Sequence, residues 1–208
     1  MKKKVVITGG SSGIGLAAVK KFKNEGFNVF ELSRHGKSSC GVTHIDCDVT
    51  DEKSVAQAFL QIEKAGGADI LINNAGFGIS GAAEYTKLSS AKAQFDVNFF
   101  GLVSVTQAMI PLLKKGAPAK IINVSSNMGS LGLASDPDSR FFQVNSLGYQ
   151  ASKAAVNFAT IDFAKELQPD HISVNSVNPG WTRTDFGGNR SGEQTVAEGA
   201  AQIVKLAA

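Results

Sequence analysis

A doubly wound α/β fold, a parallel sheet between two layers of helices, is what this sequence predicts, and three observations predict it. Short β-rich apolar runs alternate with longer helical patterns along the whole chain, as βαβ units require. The runs are continuously apolar, as in Val5-Val6-Ile7 and Ile70-Leu71-Ile72, which suits strands covered by helices on both faces. A glycine-rich segment joins the first run to the first helix. Ligands of such a sheet are expected beyond the carboxyl ends of its strands.

The elements follow in order. Residues 4–8 read as a buried strand, 14–25 as a helix, and 29–33 and 43–47 as the second and third strands. Residues 51–64 are amphipathic: Val55, Phe59 and Ile62 share one face behind Asp51, a residue type that caps helices. Residues 70–73 form a fourth strand, and a helix over about 90–113 stops after Lys115-Gly116. Residues 120–125 are a fifth strand, 147–167 a helix closed by Pro169, 172–177 a sixth strand, and about 193–206 a last helix. Residues 129–145, rich in Gly, Ser and Asp, make a long excursion, and long loops in compact domains tend to carry function. No repeat or linker divides the chain, so residues 1–208 are expected to form a single domain.

Composition narrows the function classes. Apolar residues make up 43% and charged ones 19% of the 208 residues, a globular balance. A net charge of +3, scattered along the chain, gives no basis for nucleic-acid binding. Lys2-Lys3-Lys4 reads as a solvated flank. Cys40 and Cys47 have no metal-like spacing and are expected to be free thiols in a reducing, cytoplasmic setting. Strand residues follow Lys4 at once, leaving no room for a leader's apolar region, and no run approaches 18 apolar residues, so no membrane role is expected. His35, His44 and His171 match no metal or catalytic arrangement; all three are expected on the surface or in loops, and no metal is expected. The sequons at Asn123 and Asn189 carry no weight in such a setting.

The glycine segment reads Thr8-Gly9-Gly10-Ser11-Ser12-Gly13-Ile14-Gly15. Gly9 suits the tight turn, Gly13 lets backbone approach a pyrophosphate, and Gly15 permits close packing of helix on strand. The first amides of the helix, with Ser11, Ser12 and Ile14 beside them, offer unpaired donors and a positive dipole end to phosphate. A strand before and a helix after supply the context that makes the motif specific. A dinucleotide-binding, three-layer Rossmann fold is therefore expected. The second strand ends Phe30-Glu31-Leu32-Ser33-Arg34-His35. Arg34, beside Ser33 at the tip, suits a 2′-phosphate and so favours NADP over NAD. Glu31, within the strand, is the rival as a ligand of an unphosphorylated ribose.

Together with its later motifs the chain resembles the short-chain dehydrogenases/reductases, over nearly its full length. Asp48-Val49 follows the third strand, Asn73-Asn74-Ala75-Gly76 closes the fourth, and Asn98 lies mid-helix. Ser126 follows the fifth strand, Tyr149 and Lys153 open the next helix, and Pro179-Gly180 follows the sixth, then Thr182 and Thr184. The resemblance is to carbonyl reductase-like bacterial members. It implies that Asp48 and Val49 lie at the adenine, that Asn74, Ala75 and Gly76 line the cofactor, and that Pro179, Gly180, Thr182 and Thr184 embrace the nicotinamide and a phosphate. Asn74 serves equally well as a tie between strands.

Chemistry supports the same group of residues. Reduction of a carbonyl needs a proton donor opposite the hydride donor. A tyrosine serves, although its ordinary pKa near ~10 is high for neutral pH. A lysine four residues on shares its helical face, and its charge, with that of the nicotinamide, favours phenolate. By resemblance Lys153 also holds the nicotinamide ribose, Ser126 polarises the substrate oxygen, and Asn98 holds a water that links Lys153 to solvent. Ser125 competes with Ser126; the second serine is the one the resemblance favours. Trp181 and Phe186 either wall the pocket or pack. The expected activity is NADP(H)-dependent hydride transfer with a small carbonyl or alcohol substrate. The alternative is a non-catalytic NAD(P)-binding sensor or interaction protein on the same fold.

Two departures stand out. Ser126 and Tyr149 are 23 positions apart, wider than in the commonest members. The extra residues, about 133–146, resemble an insertion of monomeric carbonyl reductases, which leaves monomer and dimer both open. Only 23 residues follow Asp185: a short loop over 187–192 and one helix are expected there, with no seventh strand and a short substrate lid.

Overall fold

The structure, a computed structural model, describes residues 2–39, 41–186 and 192–207. Cys40, the sequon at Asn189 and most of the loop expected over 187–192 lie outside the described residues. Six strands, β1 (Lys4–Thr8), β2 (Asn28–Ser33), β3 (Val42–Asp46), β4 (Ile70–Asn73), β5 (Ala119–Val124) and β6 (Ile172–Val177), form one sheet in the order β3-β2-β1-β4-β5-β6. Every pairing is parallel. The helices are α1 (Gly13–Asn24), α2 (Glu52–Lys64), α3 (Leu88–Phe95), α4 (Leu102–Lys115), α5 (Leu131–Ser135), α6 (Leu147–Leu167) and α7 (Val196–Ala207). This is the doubly wound fold that the alternation predicts. Among the described residues no strand follows β6.

Strand side chains alternate between two cores, which explains the unbroken apolar runs. Val5, Ile7, Val29, Ile70, Ile72, Ile122 and Val124 pack with Ala18, Val19 and Phe22 of α1 and Ile203 and Val204 of α7. Val6, Leu71 and Ile121 face the other way, onto Val55 and Ile62 of α2 and Val105, Met109 and Leu113 of α4. Each such fully buried branched or aromatic side chain contributes roughly 1.5–3 kcal/mol of burial free energy.

Three elements differ from the sequence reading. The helix expected over 90–113 is two helices around a π-helical turn, Asp96–Gly101. The stretch Leu88–Lys115 is long and apolar enough to cross a membrane by length and composition alone. Within it, Val105, Met109, Leu112 and Leu113 of α4 pack into the core. The last helix begins at Val196, because Thr195 and Glu198 exchange hydrogen bonds as a capping box, while Glu193 and Gln194 pair with the backbone of Trp181 and Arg183. The excursion after β5 holds a 3₁₀ turn, Asn127–Gly129, and α5. It runs over the carboxyl end of the sheet: the Gly81 amide donates to the Asn145 carbonyl, and the Ser146 hydroxyl to that of Ile79.

Candidate active site

The sheet order places the switch point between β1 and β4, whose carboxyl ends open a crevice. Two glycines in the turn after β1 have left-handed backbone, Gly9 at φ 66° and Gly13 at φ 52°, a conformation that side chains with a Cβ resist. A Cβ on Gly15 would lie 2.3 Å from the Gly9 carbonyl oxygen, so only glycine lets α1 approach β1 this closely. Ser12, the cap residue of α1, makes no side-chain capping bond, and the first turn of α1 carries no acid. With no acid of its own in that turn, the helix start and the glycine turn fit a pyrophosphate. Ser11 and Ser12 are exposed at the rim.

Asn74 is a strap. Its amide Nδ2 donates to the carbonyls of Thr8 and Gly9 at 3.0 and 3.1 Å, and the Thr8 hydroxyl accepts from the amides of Asn74 and Ala75, each at 3.0 Å. The ends of β1 and β4 are thereby locked together, the structural role the sequence left open for Asn74.

At the β2 side, Arg34 is exposed and Ser33 buried. The Asp48 carboxyl accepts from the amide and hydroxyl of Thr50, and these bonds, with the nearby Arg34 charge, hold it below the usual carboxylate range. Val49 packs on Gly101, where a Cβ would lie 2.7 Å from it. Glu31 is buried under the glycine turn and paired with His44. His44 corrects the surface expectation: its side chain is 11% exposed and wedged between Glu31 and Asp46.

Ser126, Tyr149 and Lys153 come together at the end of β5. Tyr149 is buried, and burial pushes its phenol up to about 12 against the opposing hydrogen bond of Ser126. Lys153 is also buried, which brings its ammonium down to about 8; it donates to the Val124 carbonyl at 2.7 Å and lies 5.8 Å from the centre of the Tyr149 ring. In the chain by itself burial outweighs the phenolate-favouring effect expected of Lys153. Ser125 is spent on structure, its hydroxyl donating to Asn157 at 2.6 Å. Ser126, which caps the following 3₁₀ turn and accepts from the Met128 amide, faces the tyrosine instead.

Asn98 sits in the π-helical turn next to this group: a Cβ on Gly76 would lie 3.0 Å from its Oδ1 and 3.7 Å from Lys153 Nζ. Its amide donates to the Phe77 carbonyl and to Ser152, and its Oδ1 accepts from the Phe77 amide. The side chain therefore clamps the loop after β4.

The segment after β6 closes the crevice from above. Gly180 has φ 82°, and Thr182 is buried with its hydroxyl on the carbonyls of Pro179 and Gly180. Gln194, which nothing in the sequence singled out, donates to the Pro179 carbonyl and to the Thr182 hydroxyl and so pins this turn. A lone glutamine in a loop carries no sequence signal. Thr184 lies over the glycine turn, with its Cγ2 3.5 Å from where a Gly13 Cβ would stand. Phe186 packs edge-to-face on Tyr149 at 5.3 Å, which places its ring beside the phenol. Trp181 lies 5.9 Å from the guanidinium of Arg140, which also forms a bidentate pair with Glu193. Among the described residues no cluster of His, Cys, Asp and Glu suits a metal ion.

Comparison with known proteins agrees with this geometry. The chain is 38% identical over 193 residues to a probable short-chain type dehydrogenase/reductase, VdlC, of Helicobacter pylori, covering 87% of this chain and 67% of that protein. It is 39% identical over 189 residues to a 3-ketodihydrosphingosine reductase of Bacteroides thetaiotaomicron, covering 90% and 66%. The chain thus spans about two thirds of the length of these relatives. The NADPH-bound carbonyl reductase from chicken fatty liver superposes with a TM-score of 0.88 at 26% identity, covering 99% of this chain and 91% of that one. The family model described as short chain dehydrogenase matches residues 3–195, and the chain belongs to that family.

Proposed function

We propose that the chain is an NADP(H)-dependent oxidoreductase that transfers a hydride between the nicotinamide and a carbonyl or alcohol carbon of a small substrate, in a reducing, cytoplasmic setting. The observation that carries this is the convergence of Ser126, Tyr149 and Lys153 at the end of β5, in the crevice that the glycine turn opens.

The residues fit a dinucleotide. Gly9, Gly13 and Gly15 with the amides of α1 take the pyrophosphate; Ser33 and Arg34 take the adenosine end and its 2′-phosphate; Lys153 and the Pro179–Thr184 turn take the nicotinamide end. When bound, the nicotinamide supplies or accepts the hydride. In the reducing direction the Ser126 hydroxyl donates to the substrate oxygen, and the Tyr149 phenol delivers its proton to that oxygen as negative charge develops. The phenol, held up by burial, keeps its proton at neutral pH until a cationic neighbour draws it toward phenolate. Lys153 supplies one such charge, and Asn98 holds the loop with Gly76 against it.

Phe186 on Tyr149 gives the reacting centre an apolar wall, and Ile79, Leu147 and Trp181 expose apolar surface at the same end of the sheet. A carbonyl with hydrocarbon flanks suits this frame, and a relative named as a 3-ketodihydrosphingosine reductase is consistent with it. The test is a titration of NADPH and NADH against wild type and Arg34→Ala, followed by a screen of ketones of increasing alkyl length. Tighter NADPH binding that Arg34→Ala weakens by about tenfold or more, with NADH unchanged, supports the reading. Binding of neither cofactor removes it.

A further inference from the structure

The edge of the sheet beneath the cofactor's adenosine end holds a chain of three titratable groups that the proposed reaction does not use. Register places Glu31 of β2 opposite His44 of β3, and Ser33 opposite Asp46. His44 Nδ1 is 2.6 Å from Glu31 Oε2 and its Nε2 3.0 Å from Asp46 Oδ1, so one imidazole bridges two carboxylates. Glu31 is 5% and Asp46 88% exposed; the chain runs from the interior to the rim.

Several contacts tie it to the cofactor site. Glu31 Oε1 and Ser33 Oγ are buried without a hydrogen-bond partner, and they lie two residues apart toward the end of β2 where adenosine riboses are read. A Cβ on Gly10 would lie 2.6 Å from Glu31 Cγ and 3.3 Å from its Oε1, so the glycine turn rests on this carboxylate. A Cβ on Gly36 would lie 2.4 Å from both Glu31 Oε2 and His44 Nδ1, so the loop carrying Arg34 rests on the same pair. The Ser38 hydroxyl accepts from the His44 backbone amide and holds that loop down.

We propose that the Glu31–His44–Asp46 chain makes the preference for a 2′-phosphorylated over an unphosphorylated dinucleotide depend on pH, with His44 as a positioning residue that acts through the two carboxylates. This rests on the cofactor site proposed above. With His44 protonated, two carboxylates and one imidazolium leave one net negative charge; when His44 loses its proton they leave two. The added charge opposes a 2′-phosphate, which NADPH carries and NADH lacks. Burial alone lowers the His44 pKa, but hydrogen bonds and charge from Glu31 and then Asp46 outweigh it and raise it above the ordinary imidazole value. The other charged groups at this edge are Arg34, His35 and Lys37 of the loop after β2 and Asp48 after β3, whose carboxyl feels the Arg34 charge; the α1 side chain over Gly10 is the uncharged Val19.

The experiment measures dissociation constants for NADPH and NADH from about pH 7 to pH 9.5, where a phosphate monoester with a second pKa near ~6 is already ionised. Wild type, His44→Gln and Glu31→Gln are compared. In wild type the NADPH-to-NADH affinity ratio should fall by about fivefold as pH rises through the His44 titration, the order of effect of one added charge at an effective dielectric between those of protein and water. In His44→Gln the ratio should be flat. By linkage, NADPH should raise the His44 pKa more than NADH does, read from its ring proton resonances. A wild-type ratio that ignores pH, or a pH dependence that survives in His44→Gln, overturns the inference. A ratio that favours NADH throughout, yet still falls with pH in wild type alone, sinks the NADP preference and supports the role of His44.

Discussion

The Lys153 ammonium lies 5.8 Å from the centre of the Tyr149 ring while donating a 2.7 Å hydrogen bond to the Val124 carbonyl. One end of β5 thus fixes the cation, and Ser126, two residues past Val124, faces the phenol and opposes the upward shift that burial gives it. If this group transfers the proton, Tyr149→Phe should lower kcat by about 10²–10⁴-fold. NADPH affinity should stay within about twofold. Steady-state kinetics with a parallel binding titration check both, and undiminished turnover removes Tyr149 from the role.

The buried Lys153 also predicts a pH dependence of folding. Its ammonium loses its proton near 8 in the folded chain, against 10.5 as the ordinary value. Between these the unfolded chain holds more protons, so stability should rise with pH. His44, raised above the imidazole value, acts oppositely: its contribution is present at low pH and lost as pH climbs through its titration. The phenol of Tyr149, raised to about 12, costs stability only above about pH 10. Urea midpoints at pH 8 and 9.5 for wild type and Lys153→Met separate the groups. Wild type should gain on the order of 1–2 kcal/mol relative to the variant over that interval. An unchanged difference means Lys153 is not desolvated as the structure has it.

Arg140 ties the excursion after β5 to the segment after β6 through Glu193 and Trp181. Both members of the ion pair are more than half exposed, so Arg140→Ala should cost less than about 1 kcal/mol of stability. The tie joins the excursion to the segment that carries Thr182 and Thr184, so its loss should raise KM for the substrate by several-fold with kcat little changed. A large drop in Tm with KM unmoved would make Arg140 a folding residue instead.

How far these residues were legible in the sequence depends on the kind of signal each carries. The strands and long helices show as periodicity, because each buried run must match a face of the sheet. The glycine turn shows because Gly9, Gly13 and Gly15 meet backbone constraints that other residues fail. Tyr149 and Lys153 show because four residues is one helical turn. What stayed hidden arises from contacts between elements distant in the chain. Gln194 finds Pro179 only after the segment folds back, and His44 meets Glu31 only through the register of β3 on β2. The π-helical turn at Asn98 likewise exists to present that side chain to Phe77, a partner 21 residues away. Asn123, a sequon by its neighbours, is fully buried and bonded to Asn73 and Thr160.

Gly78 gives the sharpest test of the apolar wall. A Cβ there would lie 2.8 Å from the Phe186 ring and 3.1 Å from Tyr149 Cδ2, and Gly78 is not among the glycines with positive φ, so alanine is excluded by space rather than by backbone. Phe186 is 44% exposed while Tyr149 is buried, so it yields before Tyr149 does. Gly78→Ala should therefore lower kcat/KM by about tenfold, mainly through KM, with little loss of stability. Phe186→Ala removes the obstructing ring, and the double variant should be less impaired than the two single effects combined, the non-additivity expected of residues in contact. Measured kcat/KM for the four proteins decides it. Strictly additive effects would mean that Phe186 does not rest on Gly78 when substrate is bound, and the ring would lose its place as the wall of the site.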